Sequence, residues 1–204
     1  MKKLIVDILS FILMILEFSR MYMPPIWHEI IGILLIVLII IHLILNRNYI
    51  KNIFKGKYNL KRIIMLIINV LFMISFILSC IFGLLSSEEL LKFLSIGNLS
   101  IISLHKTFAY ISLLCLGLHL GVNFNAMFSK LVNIIHNKIV LIIIGIIIIG
   151  FGIYSFIDLD FWNHLTGKYG FSIVTGNIII NTLEYLSLIM SITIITNIVY
   201  KKIK

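Results

Sequence analysis

Apolar residues run along this chain in six long stretches, at roughly 4–22, 27–46, 62–85, 103–124, 138–157 and 175–199, parted by short polar gaps. Each approaches the ~20 apolar residues that carry a helix across a bilayer, and none shows the strict alternation of a half-buried strand. The first stretch is the weakest, because Asp7, Glu17 and Arg20 interrupt it. It follows Lys2 and Lys3 in the manner of a secretion signal, but its acidic residues and the want of a small-x-small cleavage site read as a retained helix. Pro24 and Pro25 break the chain before the second stretch, and proline suits a helix start. From Leu141 to Ile149 the chain is nearly all isoleucine around Gly145. Such β-branching favours a strand in water, whereas in lipid a segment this long satisfies its backbone only as a helix. The pattern predicts an all-α fold, a polytopic transmembrane helical bundle of six spans.

Composition narrows the reading. Of 204 residues, 61% are apolar and 12% charged, against ~25% charged in a soluble domain. A water-soluble globule is excluded, and no length is left for a separate soluble domain. The net charge of +9 does not signal nucleic acid, because the basic residues sit in the gaps, where they orient helices. Lys2, Lys3, the six Lys and Arg between Arg47 and Arg62, Lys130, Lys138 and the Lys201, Lys202, Lys204 tail share one side. Arg20, Lys92, Lys106 and Lys168 fall on the other, among Glu29, Glu88, Glu89, Asp158 and Asp160. The positive-inside rule then expects a multi-pass protein of the cell membrane with both chain ends in the cytoplasm. Cys80 and Cys115 lie inside apolar runs and make neither a covalent haem-attachment motif nor a disulfide framework.

Histidines carry the candidate chemistry. His28 and His42 lie in the second stretch and His105 and His119 in the fourth, each pair 14 residues apart. That spacing is ~40° short of four helical turns and ~21 Å along the axis, so each pair shares a face within a ~30 Å hydrocarbon core. The second and fourth spans run parallel in a six-span chain. His28 then lies level with His105 towards the outside, and His42 level with His119 towards the cytoplasm. Two tiers of paired imidazoles match the axial ligands of two non-covalent b-type haems. A lone intramembrane histidine is more often a hydrogen-bonding core residue. Four at one spacing on parallel helices argue for ligation, since each is costly in lipid. The tiers are too far apart to share an ion, and neither shows the further carboxylates or histidines of a non-haem metal site. Ala109, Ser112 and Cys115 lie between His105 and His119, Gly32 follows His28 by a turn, and Gly117 and Gly121 flank His119. Small residues there would admit a flat macrocycle, although they equally serve close helix packing.

Two segments carry a resemblance. Residues 27–59, WHEIIGILLIVLIIIHLILNRNYIKNIFKGKYN, and 104–124, LHKTFAYISLLCLGLHLGVNF, resemble the flavinylation-associated cytochromes of bacterial membranes. The matching elements are the HE…G opening at His28, the H-x-x-L-N-R exit from His42 into the basic KGKYN loop, and LHLG around His119. The likeness covers about residues 1–125, and the GIYSFIDLDFW segment at 152–162 is similar to that of some members. It implies a di-haem b-type four-helix core over 1–125, with a C-terminal two-helix accessory region of the same membrane domain over 126–204. It also implies haem ligation by His28, His42, His105 and His119, and electron transfer to an extracytoplasmic flavin-carrying protein. Some members carry a further histidine where this chain has Asn123.

The remaining polar residues are less telling. His136 and His164 read as solvent-facing loop residues. Arg20 and Lys106 outside, and Arg47 and Arg62 inside, are candidates to pair with haem propionates, although flanking basic residues also snorkel to the interface. Glu184 beside Tyr185 is a weak candidate for a proton or quinone site, the simpler reading being an interhelical hydrogen bond. The outer loop IDLDFWNHLTGKYGF suits either partner docking or an interfacial aromatic belt. No flavin-attachment sequence, dinucleotide fingerprint or P-loop occurs, so any flavin belongs to a partner. No catalytic residue is assigned. The expected task is one-electron transfer across the bilayer between a membrane reductant, with a quinol as candidate, and an extracytoplasmic carrier. A haem-free transporter or membrane scaffold with structural histidines is the alternative.

Overall fold

The computed structural model describes residues 2–53, 55–125, 135, 137–168 and 177–203; Lys130, His136, Lys204 and the end of the outer loop lie outside them. The helices are α1 (Lys2–Glu17), α2 (Pro25–Leu45), α3 (Arg47–Asn52), α4 (Leu60–Leu85), α5 (Leu99–Val122), α6 (Lys138–Asp158), α7 (Phe161–Leu165) and α8 (Ile178–Lys202). Short 3-10 turns follow at Arg20–Tyr22 and Lys92–Leu94, and no strand occurs among the described residues. Pro25 opens α2 at its first turn. Asn59, Asn98, Asn137 and Asn177 cap α4, α5, α6 and α8, each accepting a backbone N–H with its side-chain oxygen. The isoleucine run is helical within α6 and turns Ile142, Ile143, Ile146 and Ile147 outward, as a lipid-facing surface requires.

Five of these helices, α2, α4, α5, α6 and α8, are long and apolar enough to cross a membrane. The expected sixth, α1, has 16 residues, about 24 Å of helix. It stops at Glu17, where Phe18 and Ser19 donate to the Ile15 and Leu16 carbonyls in tightened turns and lead into the 3-10 turn. Two of the charges that weaken the first stretch, Asp7 and Glu17, each stand beside a histidine of α2.

Helix packing divides the chain into two blocks joined by a slot. In the larger, α5 packs along α4 and α8, and α8 along α6. Small residues allow the close approach. A Cβ on Gly117 would meet Ile192 at 2.7 Å, one on Gly121 would meet Thr196 at 2.5 Å, and one on Gly152 would collide with Ser191. Hydroxyls bind these seams, with Ser155 and Ser187 3.0 Å apart and Thr193 donating to the Gly117 carbonyl at 3.2 Å. The smaller block is the hairpin of α1 and α2. Only Leu35 of α2 is buried, because α2 packs along its length against α1 alone.

Polar ties hold the blocks together at the outer end. Glu29 accepts from the Ser87 hydroxyl and from the backbone N–H groups of Glu88, Glu89 and Leu90, all within 2.9 Å. Arg20 pairs with Glu88 at 3.1 Å, and the Ser19 and Thr182 hydroxyls meet at 3.1 Å. Phe18 packs edge-on against Tyr110 and beside Tyr185.

Candidate functional site

The slot widens at its outer end into a cavity of about 720 Å³, lined by Glu17 from α1, His28 and Gly32 from α2, Gly83 from α4, and His105 and Ala109 from α5. His28 and His105 face one another across it, with ring centroids 6.1 Å apart and planes at 77°. Helices α2 and α5 therefore meet through these rings without extended backbone contact. His28 and His105 thus come together as one of the two cross-helix pairs expected.

What holds each ring is the feature that spacing does not reveal. His105 donates from Nδ1 to the Ser79 carbonyl at 2.8 Å, and His119 from Nδ1 to Asn69 Oδ1 at 2.8 Å. Asn69 is itself oriented, because its amide nitrogen donates to the Tyr49 hydroxyl at 2.7 Å. His42 donates from Nδ1 to Asp7 Oδ1 at 2.7 Å. His28 Nδ1 lies 3.0 Å from Glu17 Oε2, out of line for a hydrogen bond. Every tier thus draws one oxygen from α1 and one from α4. An imidazole that gives its Nδ1 proton to an oxygen keeps the lone pair on Nε2, the form that binds a metal.

Surrounding residues sort into shaping and packing roles. Gly83 is a cradle for His105, since a Cβ there would touch the ring at 3.0 Å. Gly32 faces the Glu17 carboxyl with ordinary contact room. Ala109 and Ser112 line the cavity as expected, whereas Gly117 and Gly121 face α8 and serve helix packing. Arg20 and Lys106 line the cavity wall. Arg62 does not approach the histidines: its guanidinium binds the Asn52, Ile53 and Lys57 carbonyls and stacks on Tyr58. Asn123 donates to the His119 carbonyl at 2.9 Å and finishes α5.

The far wall of the cavity is polar, and sequence reasoning undervalued it. The Tyr110 and Tyr185 hydroxyls meet at 2.7 Å, and His164 stacks on Tyr110 at 4.3 Å, so His164 is a wall residue and not a solvated one. Burial, the largest cause, holds the His164 imidazole below the ordinary histidine range; Asp160 opposes this and Lys106 adds to it. Glu184 is buried on the same wall, which Asp158 of α6 also lines, so it borders the histidine cavity.

Among the described residues, no three or more His, Cys, Asp or Glu side chains converge on one ion position. A tetrahedral zinc site needs four protein ligands, or three and a water. The facing His28 and His105 imidazoles suit a metal whose other positions are filled by a macrocycle. Two metal–nitrogen bonds of ~2 Å each, with the ring radii added, give roughly the separation seen between His28 and His105. The residues fit.

The fold and site together define a multi-pass helical membrane protein with imidazoles paired across a slot between two helix blocks. No known protein family, curated protein or solved structure matches the chain.

Proposed function

We propose that the chain is an integral-membrane b-type cytochrome holding two non-covalent haems, one between His28 and His105 and one between His42 and His119. On this reading it carries electrons across the bilayer between a membrane reductant, with a quinol as candidate, and an extracytoplasmic flavin-carrying protein. The observation that carries the reading is the set of Nδ1 contacts, in which four histidines on two helices each have an oxygen within 3.0 Å of Nδ1. An imidazole engaged through Nδ1 presents the Nε2 lone pair that an axial ligand needs.

When bound, bis-imidazole haem supplies reversible one-electron chemistry. The chain's own groups do the rest. The α4 acceptors, Ser79 O and Asn69 Oδ1, set the rotation of the α5 rings, and Asp7 does so for His42, while the Glu17 carboxyl stands beside His28. Gly83 leaves room for His105. Arg20 and Lys106 are placed to meet propionates at the outer tier. On this reading α1 is the sixth crossing, its two acids retained because they serve the histidines, and both chain ends lie in the cytoplasm of a bacterial cell.

Absorption of the purified protein tests the proposal. A Soret band and two haems per chain are expected; a colourless protein would favour the transporter or scaffold reading. Changing either His42 or His119 to Ala should alter one spectral component, and changing His28 or His105 should alter the other. The His42/His119 double change should be no worse than either single one, because two ligands of one centre act as a unit. Joint loss on changing His28 and His42, with His105 and His119 sufficient for both components, would overturn the pairing.

A further inference from the structure

A second cavity, of about 380 Å³, lies at the end of α4 remote from Gly83, where a tight turn joins α3 to α4. Its walls combine half-buried Ile53, Met65 and Leu66 with exposed Lys55 and Tyr58, and Arg62 lies among them. The turn is held from within. Arg62 donates to the Asn52, Ile53 and Lys57 carbonyls and stacks on Tyr58 at 4.3 Å. Gly56 passes beside it at φ +82°, where a Cβ would sit 3.3 Å from the guanidinium. The Tyr58 hydroxyl donates to the Ile53 carbonyl.

This end of the molecule gathers cations without counter-charges. Lys3 donates to Asn46 at 3.3 Å and the Tyr200 hydroxyl to the Lys61 carbonyl at 3.3 Å, so the chain start and the close of α8 meet α3 and α4 here. Six Lys and Arg lie between Arg47 and Arg62, and Lys201 and Lys202 finish α8. The sequence has no Asp or Glu between Glu29 and Glu88, and none after Glu184. Among the described residues, no ion pair joins any of these cations to a carboxylate. Helix orientation asks only for an excess of Lys and Arg on one side of the membrane. It asks neither for a folded cavity nor for the loss of every counter-charge.

We propose that this cavity binds the phosphate headgroup of an anionic phospholipid. Arg62, locked by carbonyls, supplies fixed positive charge, while Lys55, on a flexible stem, closes on the phosphate as a point charge. Clusters of Lys and Arg beside a membrane helix attract anionic lipid in this way. A soluble anion would need only the charges. The cavity has apolar walls as well, and beyond it α4 turns Ile63, Ile67, Val70 and Ile74 outward, a continuous surface for acyl chains. Its volume falls in the range of small-molecule pockets, roughly 300–1,000 Å³, which suits a headgroup and the first carbons of its chains. The site stands independently of the haem reading, since it needs only that α4 cross the bilayer.

Native mass spectrometry of the full-length protein in a nonionic detergent tests this, with dioleoyl phosphatidylglycerol or phosphatidylcholine titrated in and bound lipids counted. The first phosphatidylglycerol should bind at least ~10-fold more tightly than the first phosphatidylcholine, because two charges act on it. Lys55→Gln should weaken that first binding roughly fivefold, the effect of one lysine at an anionic surface. The triple change Lys51→Gln, Lys55→Gln and Lys57→Gln should abolish the preference. Lys201→Gln with Lys202→Gln should leave it intact, because salt at about 150 mM screens charges beyond ~8 Å. Inorganic phosphate at the same concentration should not displace the lipid. Equal binding of the two lipids overturns the proposal, as does a preference that survives the triple change. Equal loss from the Lys201 and Lys202 changes would reduce it to general attraction, and displacement by inorganic phosphate would make the site one for soluble anions; either result also overturns it. The wild-type comparison and the phosphate competition need no variant, so the proposal stays testable should the triple variant fail to fold.

Discussion

Single residues in this molecule act mainly through what faces them from another helix. His164 is an example: five residues of α7 place it flat on Tyr110, and burial holds its imidazole below the ordinary histidine range. The docked loop therefore binds fewer protons at this position than an undocked one. The sign follows from linkage. Docking is unpenalised above the ordinary histidine value of ~6.5 and weakens as the pH falls below it, because the undocked form takes up the proton first. Protection factors of the 161–165 amides, which correct exchange for its intrinsic pH dependence, should fall between pH 7.5 and 5.5, and His164→Phe, which preserves the stack, should flatten that fall. Protection that ignores pH in the wild type would mean the ring is not buried against Tyr110. The role of His164 was hidden in the sequence because a loop histidine carries no periodicity, and its partner lies on another element. Asp7 and Glu17 were hidden for a related reason. Along the chain they read only as flaws in an apolar stretch, while in space each stands at a histidine of α2.

Among the helices, α5 does two jobs on two faces. One carries His105 and His119 into the slot, and the other carries Gly117 and Gly121 against α8. The four-residue spacing of these glycines is the small-xxx-small pattern of close membrane-helix packing. From the sequence they served equally well as room for a macrocycle, because a glycine does not say which neighbour uses its space. Gly121→Ala would drive a Cβ to 2.5 Å from Thr196 and 2.9 Å from the Thr193 carbonyl. Overpacking of this kind costs typically ~1–3 kcal/mol. Titration of the detergent-solubilised protein with SDS should show a lower unfolding midpoint for this variant. An unchanged midpoint would mean that α5 and α8 are not in close contact. Gly145, by contrast, meets nothing within 4 Å, so alanine there should be neutral.

For the whole molecule, the six-span reading requires that the α1–α2 hairpin cross the bilayer beside the larger block. Antiparallel pairing of Asp7 with His42 and of Glu17 with His28 runs α1 along nearly the full distance between the tiers. Reporter fusions check this. Reporters at the chain start and in the 47–59 loop should both read as cytoplasmic, and reporters in the 88–96 and 160–168 loops as extracytoplasmic. A chain start outside the cytoplasm would place α1 on one surface and leave five crossings.

The boundaries of the long helices and the register of the four histidines were present in the linear order of residues, because both follow from local rules. An apolar run of fixed length must form a helix in lipid, and 14 residues return nearly to the same face. Asn caps and a proline start mark the helix ends on the same local terms. The oxygen that meets each Nδ1, the side of α5 that its glycines serve, and the joining of Glu184 to the histidine cavity were settled only by packing. Asp7 and His42 are separated by 35 residues, Asn69 and His119 by 50, and no pattern within a helix reports across such distances. Burying ionisable groups in a bilayer requires partners for them, but only the placement of whole helices selects which ones they meet.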